Sequence, residues 1–267
     1  MHVSLKKTFI FIIIFYCSNI NAQQDAYTEY YDNGKIKAVG FKSEQDINYG
    51  KWIYYRKDGS IDSEITFNKQ GKTQGPFLMY YRNGQIQAKG NYSNEGFYEM
   101  DGNYEDYYKN GQIKSIGTYK NNKTIEKWTT YWENGQIKSI TEYTEEGIIQ
   151  KNTEYHKNGQ LKIDAKYNNI GDFIGEIILY YDTGQIHTIQ KFDKNGNKID
   201  TYKSYYKNGN LMELGDYLGV DYFKKKGVWK TFYENGSLKT EINYDKQGNR
   251  IGEIKLYDKQ ENLIIKE

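Results

Sequence analysis

The chain has 267 residues, with 29 Tyr, 11 Phe and 4 Trp but a single Pro and a single Cys, and its 37 Lys and Arg face 35 Asp and Glu. So even a charge balance argues against nucleic-acid binding, which rests on basic side chains neutralising phosphates. One cysteine excludes a disulfide framework and Cys-ligated zinc, scarce proline excludes a proline-rich linker, and the aromatic content favours strands.

At the start, Lys6 and Lys7 precede an apolar run from Phe9 to Tyr16, followed by Cys17 and a small residue, Ala22, before the polar Gln23-Gln24-Asp25. This order reads as a secretory signal peptide over residues 1–22, because the run is shorter than the roughly 20 residues of a membrane helix. The expected location is outside the cytoplasm, in the periplasm, the cell envelope or the medium. A lipid anchor on Cys17 is the alternative, disfavoured by the bulky Tyr16 ahead of it. Cleavage after Ala22 removes Lys6, Lys7 and Cys17, leaving 35 basic against 35 acidic side chains and no thiol.

Residues 23–267 rewrite one stretch, clearest at Tyr107-Tyr108-Lys109-Asn110-Gly111-Gln112-Ile113-Lys114. Its glycine returns as Gly34, Gly59, Gly84, Gly135, Gly159, Gly184, Gly209 and Gly236, at spacings of 24 to 27 residues. A fixed period signals a stack of small units that cannot fold singly. Asn-Gly between Tyr- and Ile-rich runs is a hairpin signal, and a type I′ turn with both central residues at positive φ is expected. Ten units of two strands, counting a shortened last one, predict an all-β chain. Its tandem β-hairpins form one elongated, twisted antiparallel sheet.

Within each unit an aromatic residue lies four positions before the glycine (Tyr30, Tyr55, Tyr80, Tyr107 and so on), and a bulky residue sits three positions before that. The latter row reads Tyr27, Trp52, Phe77, Tyr104, Trp128, Asn152, Ile177, Tyr202, Trp229 and Ile254. Asn152 breaks it, so the sixth unit should be the loosest. After the turn, strand alternation makes Ile36, Ile61, Ile86, Ile113, Ile137, Leu161, Ile186, Leu211 and Leu238 the core candidates. Gly40, Gly90, Gly117 and Gly215 beside them leave room for rings to lie flat on the backbone.

The pairing of Gly-x-Trp-x-x-aromatic-Tyr, as in residues 227–233, with Asn-Gly-Gln-Ile-Lys resembles the MORN repeat variant of bacterial proteins in the YwqK-like antitoxin family, over about residues 27–265. The departures are Asn152 in the Trp row, Arg56 and His156 at the second Tyr position, and Glu261 in the last turn. The resemblance implies a β-hairpin array that binds proteins or membrane surfaces, with no catalytic residue to carry over.

No catalytic, cofactor or metal residues are expected. His156 and His187 occupy repeat positions otherwise held by Tyr or Lys, without ligand spacing. Insertions in a repeat array fall in loops on one side and mark a binding side. The connections before Tyr107 and Phe232 are the longest, and the first carries Glu99, Asp101 and Asp106 while the second carries Lys224, Lys225 and Lys226. An exposed aromatic face formed by Tyr108, Trp132, Tyr181 and Tyr206 is the other candidate, with core packing as its alternative. The row Lys37, Lys114, Lys138, Lys162 and Lys239 reads as a solvated face rather than a lipid contact. The expected protein is an exported, non-enzymatic scaffold with a protein partner and no nucleic acid. The alternatives are a polysaccharide- or membrane-surface module and an antitoxin-like partner of a toxin.

Overall fold

A computed structural model describes residues 26–93, 96–219 and 224–266, so the expected signal peptide lies outside the described residues. Twenty strands run from β1 (Tyr27–Tyr30) to β20 (Leu263–Lys266) with no helix among them. Each strand pairs antiparallel with the next in chain order, and among the described residues β1 and β20 pair on one side only. The sheet is a continuous meander in which strands touch only their chain neighbours.

The Asn-Gly turns share one geometry, which differs from the expected type I′; that form occurs instead at Asn121-Asn122, where both residues are left-handed and Lys120 pairs with Lys123. In the first, Gly34 N–H donates to Tyr31 O at 2.9 Å and Tyr31 N–H donates to Lys35 O at 2.8 Å. Gly34 is left-handed at φ 77° whereas Asn33 is not. This is a type I turn closed by a left-handed residue, the three-residue hairpin loop. Asn33 has no need of positive φ because its Oδ1 accepts Lys35 N–H at 3.1 Å, which fixes the turn from the side chain. Asp58-Gly59 and Thr183-Gly184 close with the same backbone pair, and Asp58 Oδ1 likewise accepts Ser60 N–H at 3.0 Å.

The rings do lie on glycine. Gly40 faces three residues of β3 (Asn48–Tyr55), numbers 50–52, because the register jumps from Val39↔Ile53 to Phe41↔Tyr49. The extra residues kink the strand through a left-handed Gly50 and drop Trp52 onto Gly40, where an added Cβ would meet Trp52 Cδ2 at 2.2 Å. Trp52 is 1% exposed, and its Nε1 donates to Phe41 O at 3.1 Å. Gly117 under Trp128 and Gly215 under Trp229 repeat the device, with the same three-for-one jump. The kink is left-handed at Gly50, Gly75, Gly102, Gly175, Gly227 and Gly252, and also at Glu126 (φ 56°) and Asp200 (φ 58°), where a side chain makes that conformation strained.

The Ile row is not core. Ile36, Ile86, Ile113, Ile137 and Ile186 are exposed, at 36% to 41%. A bulge explains the error: Tyr54 pairs with Ser63 but Tyr55 pairs with Ile61, so Asp62 is skipped and simple alternation stops there. The bulged position is that of the Lys row, held by Gln87, His187 and Met212 in three units. Burial belongs instead to Ala38, Trp52, Ile65, Phe67, Phe77 and Tyr92 in the first half, and to Ala165, Ile177 and Phe192 in the second.

Candidate interaction surfaces

The second Tyr of each unit sits just past its strand and reaches into the following unit. Tyr31, Tyr81 and Tyr108 donate their hydroxyls to the carbonyls of Tyr55, Tyr107 and Tyr131, each at 2.7 Å. Tyr181 and Tyr206 do so to Tyr205 and Phe232 at 2.8 Å, and Tyr233 to Tyr257 at 2.9 Å. Trp132 Nε1 reaches Tyr155 O at 3.3 Å. The two departures from the pattern do the same work: the Arg56 guanidinium donates to Tyr80 O, and His156 Nε2 lies 2.9 Å from Tyr180 O. Every unit is latched to its successor by a side chain donating to the last residue of a strand.

Turn asparagines add a second rung. Nδ2 of Asn134 donates to Lys157 O at 3.2 Å and Nδ2 of Asn208 to Glu234 O at 2.8 Å, while Oδ1 of each caps its own turn. An Asp in that place offers no such donor. Tyr108, Trp132, Tyr181 and Tyr206 are therefore half-buried, with their polar ends engaged. Lys138 and Lys157 cover the Trp132 ring at 4.9 and 5.4 Å, and Lys207 the Tyr181 ring at 5.5 Å. What the Asn-Gly edge does expose, beside the latches, is the Ile row. Sequence reasoning missed it by carrying alternation through the bulge.

The charged candidates are dispersed. Asp106 lies in β7 (Gly102–Tyr107) rather than in a loop, paired with Lys114 at 2.8 Å and accepting from Ser115. Glu105 next to it is held below the usual carboxylate range by the hydrogen bond from Tyr107 and by Lys89. Glu99 Oε2 accepts from Ser93 at 2.8 Å, and Asp101 N–H donates to Asn91 O. Lys225 and Lys226 belong to β17 (Lys225–Phe232), with Lys225 bound to Glu213 at 3.0 Å, and Lys224 is exposed just before it. Ten strand spacings of about 4.8 Å put the two regions about 48 Å apart along the sheet. Three of the Lys row are paired with carboxylates, Lys114 as above, Lys37 to Glu29 at 2.7 Å and Lys162 to Glu154 at 2.9 Å, while Lys138 and Lys239 lie over the Trp132 and Tyr233 rings. Among the described residues no three His, Cys, Asp or Glu side chains converge to hold a metal.

A family model described as MORN repeat variant matches residues 26–41, 73–94, 100–121, 127–145, 151–169, 201–218 and 225–246, just over half of the chain. The stretches it passes over around Gly59 and Gly184 form the same hairpins. Solved structures with some likeness include a crystal structure of TcdB2-TccC3-TEV, at 10% identity and TM-score 0.20, covering 86% of this chain and 16% of that one. Another is a Tc holotoxin pore of Photorhabdus luminescens, at 11% identity and TM-score 0.20, covering 87% and 14%. The chain thus spans less than a fifth of the structures it matches. Among curated proteins no relative is found.

Proposed function

The chain belongs to the MORN repeat variant family, and on that premise we propose that it is an exported, non-enzymatic scaffold that binds a protein partner along its Asn-Gly edge. The observation that carries this reading is the exposure of Ile at one repeat position, Ile36, Ile86, Ile113, Ile137 and Ile186, beside the half-buried latch rings. An apolar strip rimmed by polar side chains is the signature of a protein contact. Protein is favoured over glycan because the edge rings are half-buried with their donors engaged. It is favoured over anionic lipid because Lys37, Lys114 and Lys162 are paired with carboxylates and Lys138 lies over the Trp132 ring.

Export rests on the leader pattern, and mass spectrometry of envelope protein should find Gln23 at the amino terminus. Capture of a partner from envelope extracts by the mature chain tests the binding edge. Replacing Ile86, Ile113 and Ile137 together by Glu should weaken capture by about tenfold or more while melting stays nearly unchanged, since exposed positions contribute little to stability. Undiminished capture by that variant would refute the edge.

A further inference from the structure

The aromatic row has a gap in its second half. Where Gly40, Gly117 and Gly215 underlie indole rings, the place facing the kink of β15 (Lys198–Tyr205) is held by Gln190 of β14 (Ile186–Phe192). Its Nε2 donates to Lys191 O at 2.9 Å and Ile199 O at 3.0 Å. The first is the carbonyl that the indole N–H takes in other units, as Trp52 takes Phe41 O and Trp229 takes Asp216 O. Gln190 thus replaces the indole's hydrogen bond but not its ring, and it fills the ground on which a ring would settle. Tyr202 stacks on Trp229 on the far side, at 5.9 Å and 27°. On the near side the row residue is Ile177 of β13 (Phe173–Tyr180), aliphatic where three other units have Trp.

With Ile177 in place of a ring beside the Gln190 amide, a cavity of about 670 Å³ is walled by Ile163, Phe173, Ile177, Phe192 and Tyr202, with Gln190 at its wall. That volume falls in the range of small-molecule sites, about 300 to 1,000 Å³. Gln190 is 5% exposed and its Oε1 has no partner. Turning the amide over would set that oxygen against two carbonyls, so the orientation is fixed by its neighbours. The acceptor is closed to solvent in this resting orientation, and a ligand's donor reaches it when the side chain swings toward the cavity and gives up one of its Nε2 bonds.

We propose that this gap is a binding site for a planar aromatic molecule of one or two fused rings bearing a hydroxyl or N–H. The ring supplies the surface that Trp supplies elsewhere, and the donor meets Gln190 Oε1. This site is distinct from the Asn-Gly edge and stands or falls apart from it.

Calorimetric titration of the mature chain with 2-naphthol should show saturable binding. Decahydro-2-naphthol has the same skeleton without planarity, and 2-methoxynaphthalene has the ring without the donor. Each should bind more weakly by about tenfold, as expected when stacking is lost or a buried acceptor is left unpaired. Ile177→Trp, or Ile177→Phe should the first fail to fold by circular dichroism, closes the gap and should remove 2-naphthol binding. Gln190→Leu should bring 2-naphthol and 2-methoxynaphthalene to the same affinity. Absence of saturable binding, equal affinity of the planar and saturated probes, or binding undiminished in the folded Ile177 variant would each overturn the proposal.

Discussion

The hairpins around Trp52 and Phe77 and those around Asn152 have the same strand order and the same turns, yet they are held by different means. In the former, Ala38, Trp52, Ile65, Phe67, Phe77 and Tyr92 form one buried cluster, with a ring pressed on bare backbone. Across β10 (Ile137–Tyr143), β11 (Ile149–Tyr155) and β12 (Leu161–Tyr167) the row reads Thr141, Asn152, Ala165. There Thr141 Oγ1 donates to Asn152 Oδ1 at 3.0 Å, and Asn152 Nδ2 to Glu154 at 3.1 Å. The three-for-one jump is missing as well, since Glu142↔Lys151 is followed by Tyr143↔Ile149 with one residue skipped. What continues unbroken is the edge, where Trp132 and His156 make their latches like any other unit. Strand pairing and latches suffice to keep the fold, and the ring row adds burial where it exists.

The sharpest way to break this contrast is to fill the ground beneath a ring. Gly40→Ala should lower stability by about 3 kcal/mol, because the methyl would overlap the Trp52 ring, which Tyr54 and Phe67 pack against. In β12 the corresponding residue is already Ala165, and Ala165→Gly should cost only about 1 kcal/mol. Chemical denaturation of the two variants decides it, and equal losses would mean that the rings do not organise the first region.

The latches should not distinguish the regions. Tyr108→Phe and His156→Phe each leave one carbonyl without its donor, and each should cost about 1 kcal/mol. A loss confined to one of them would show that the edge, too, varies along the array.

Backbone substitutions sharpen the difference at smaller amplitude and with opposite signs. Glu126→Gly relieves a left-handed residue in the kink beneath Trp128 and should stabilise by about 1 kcal/mol. Gln150, at the matching place in β11, is not left-handed, so Gln150→Gly should destabilise by about 0.5–1 kcal/mol. Melting curves that move in the same direction would contradict the assignment.

The smallest effect is the pH response. Burial pushes the phenols of Tyr54, Tyr104 and Tyr217 up to about 12, and all three lie outside the middle hairpins. The unfolded phenol ionises near pH 10, so the fold favours the protonated form. The contribution is complete below about pH 10 and is lost as pH climbs toward about 12. Ultraviolet titration should show a late phenolate wave that coincides with loss of strand signal. Normal titration of all tyrosines would remove the buried row.

Sequence made the repeat, the paired strands and the glycine under the Trp52, Trp128 and Trp229 rings legible, because these depend on residue identity at fixed spacing. It misplaced Ile61 and its equivalents because period-two alternation holds only while the ladder is unbroken, and the skipped Asp62 reverses it. It expected type I′ turns because Asn-Gly admits them, whereas Asn33 Oδ1 stabilises the alternative. The latches were hidden for another reason: each joins a side chain to a main-chain carbonyl 23 to 26 residues away, and a carbonyl carries no residue signature. Tyr, Trp, Arg and His look like a broken motif until their common partner is seen.

The latches also give the array a direction. The donor always belongs to the earlier unit and the acceptor to the later one, until Asp258, which in place of a donor offers Oδ1 to Gln260 and Asn262 N–H at 2.9 and 2.8 Å. A chain that emerges amino terminus first therefore displays each waiting hydroxyl, indole, guanidinium or imidazole before the carbonyl it will hold. Folding becomes vectorial, with every new hairpin caught on emergence by the one already set, so growth proceeds by accretion and never waits for the far end.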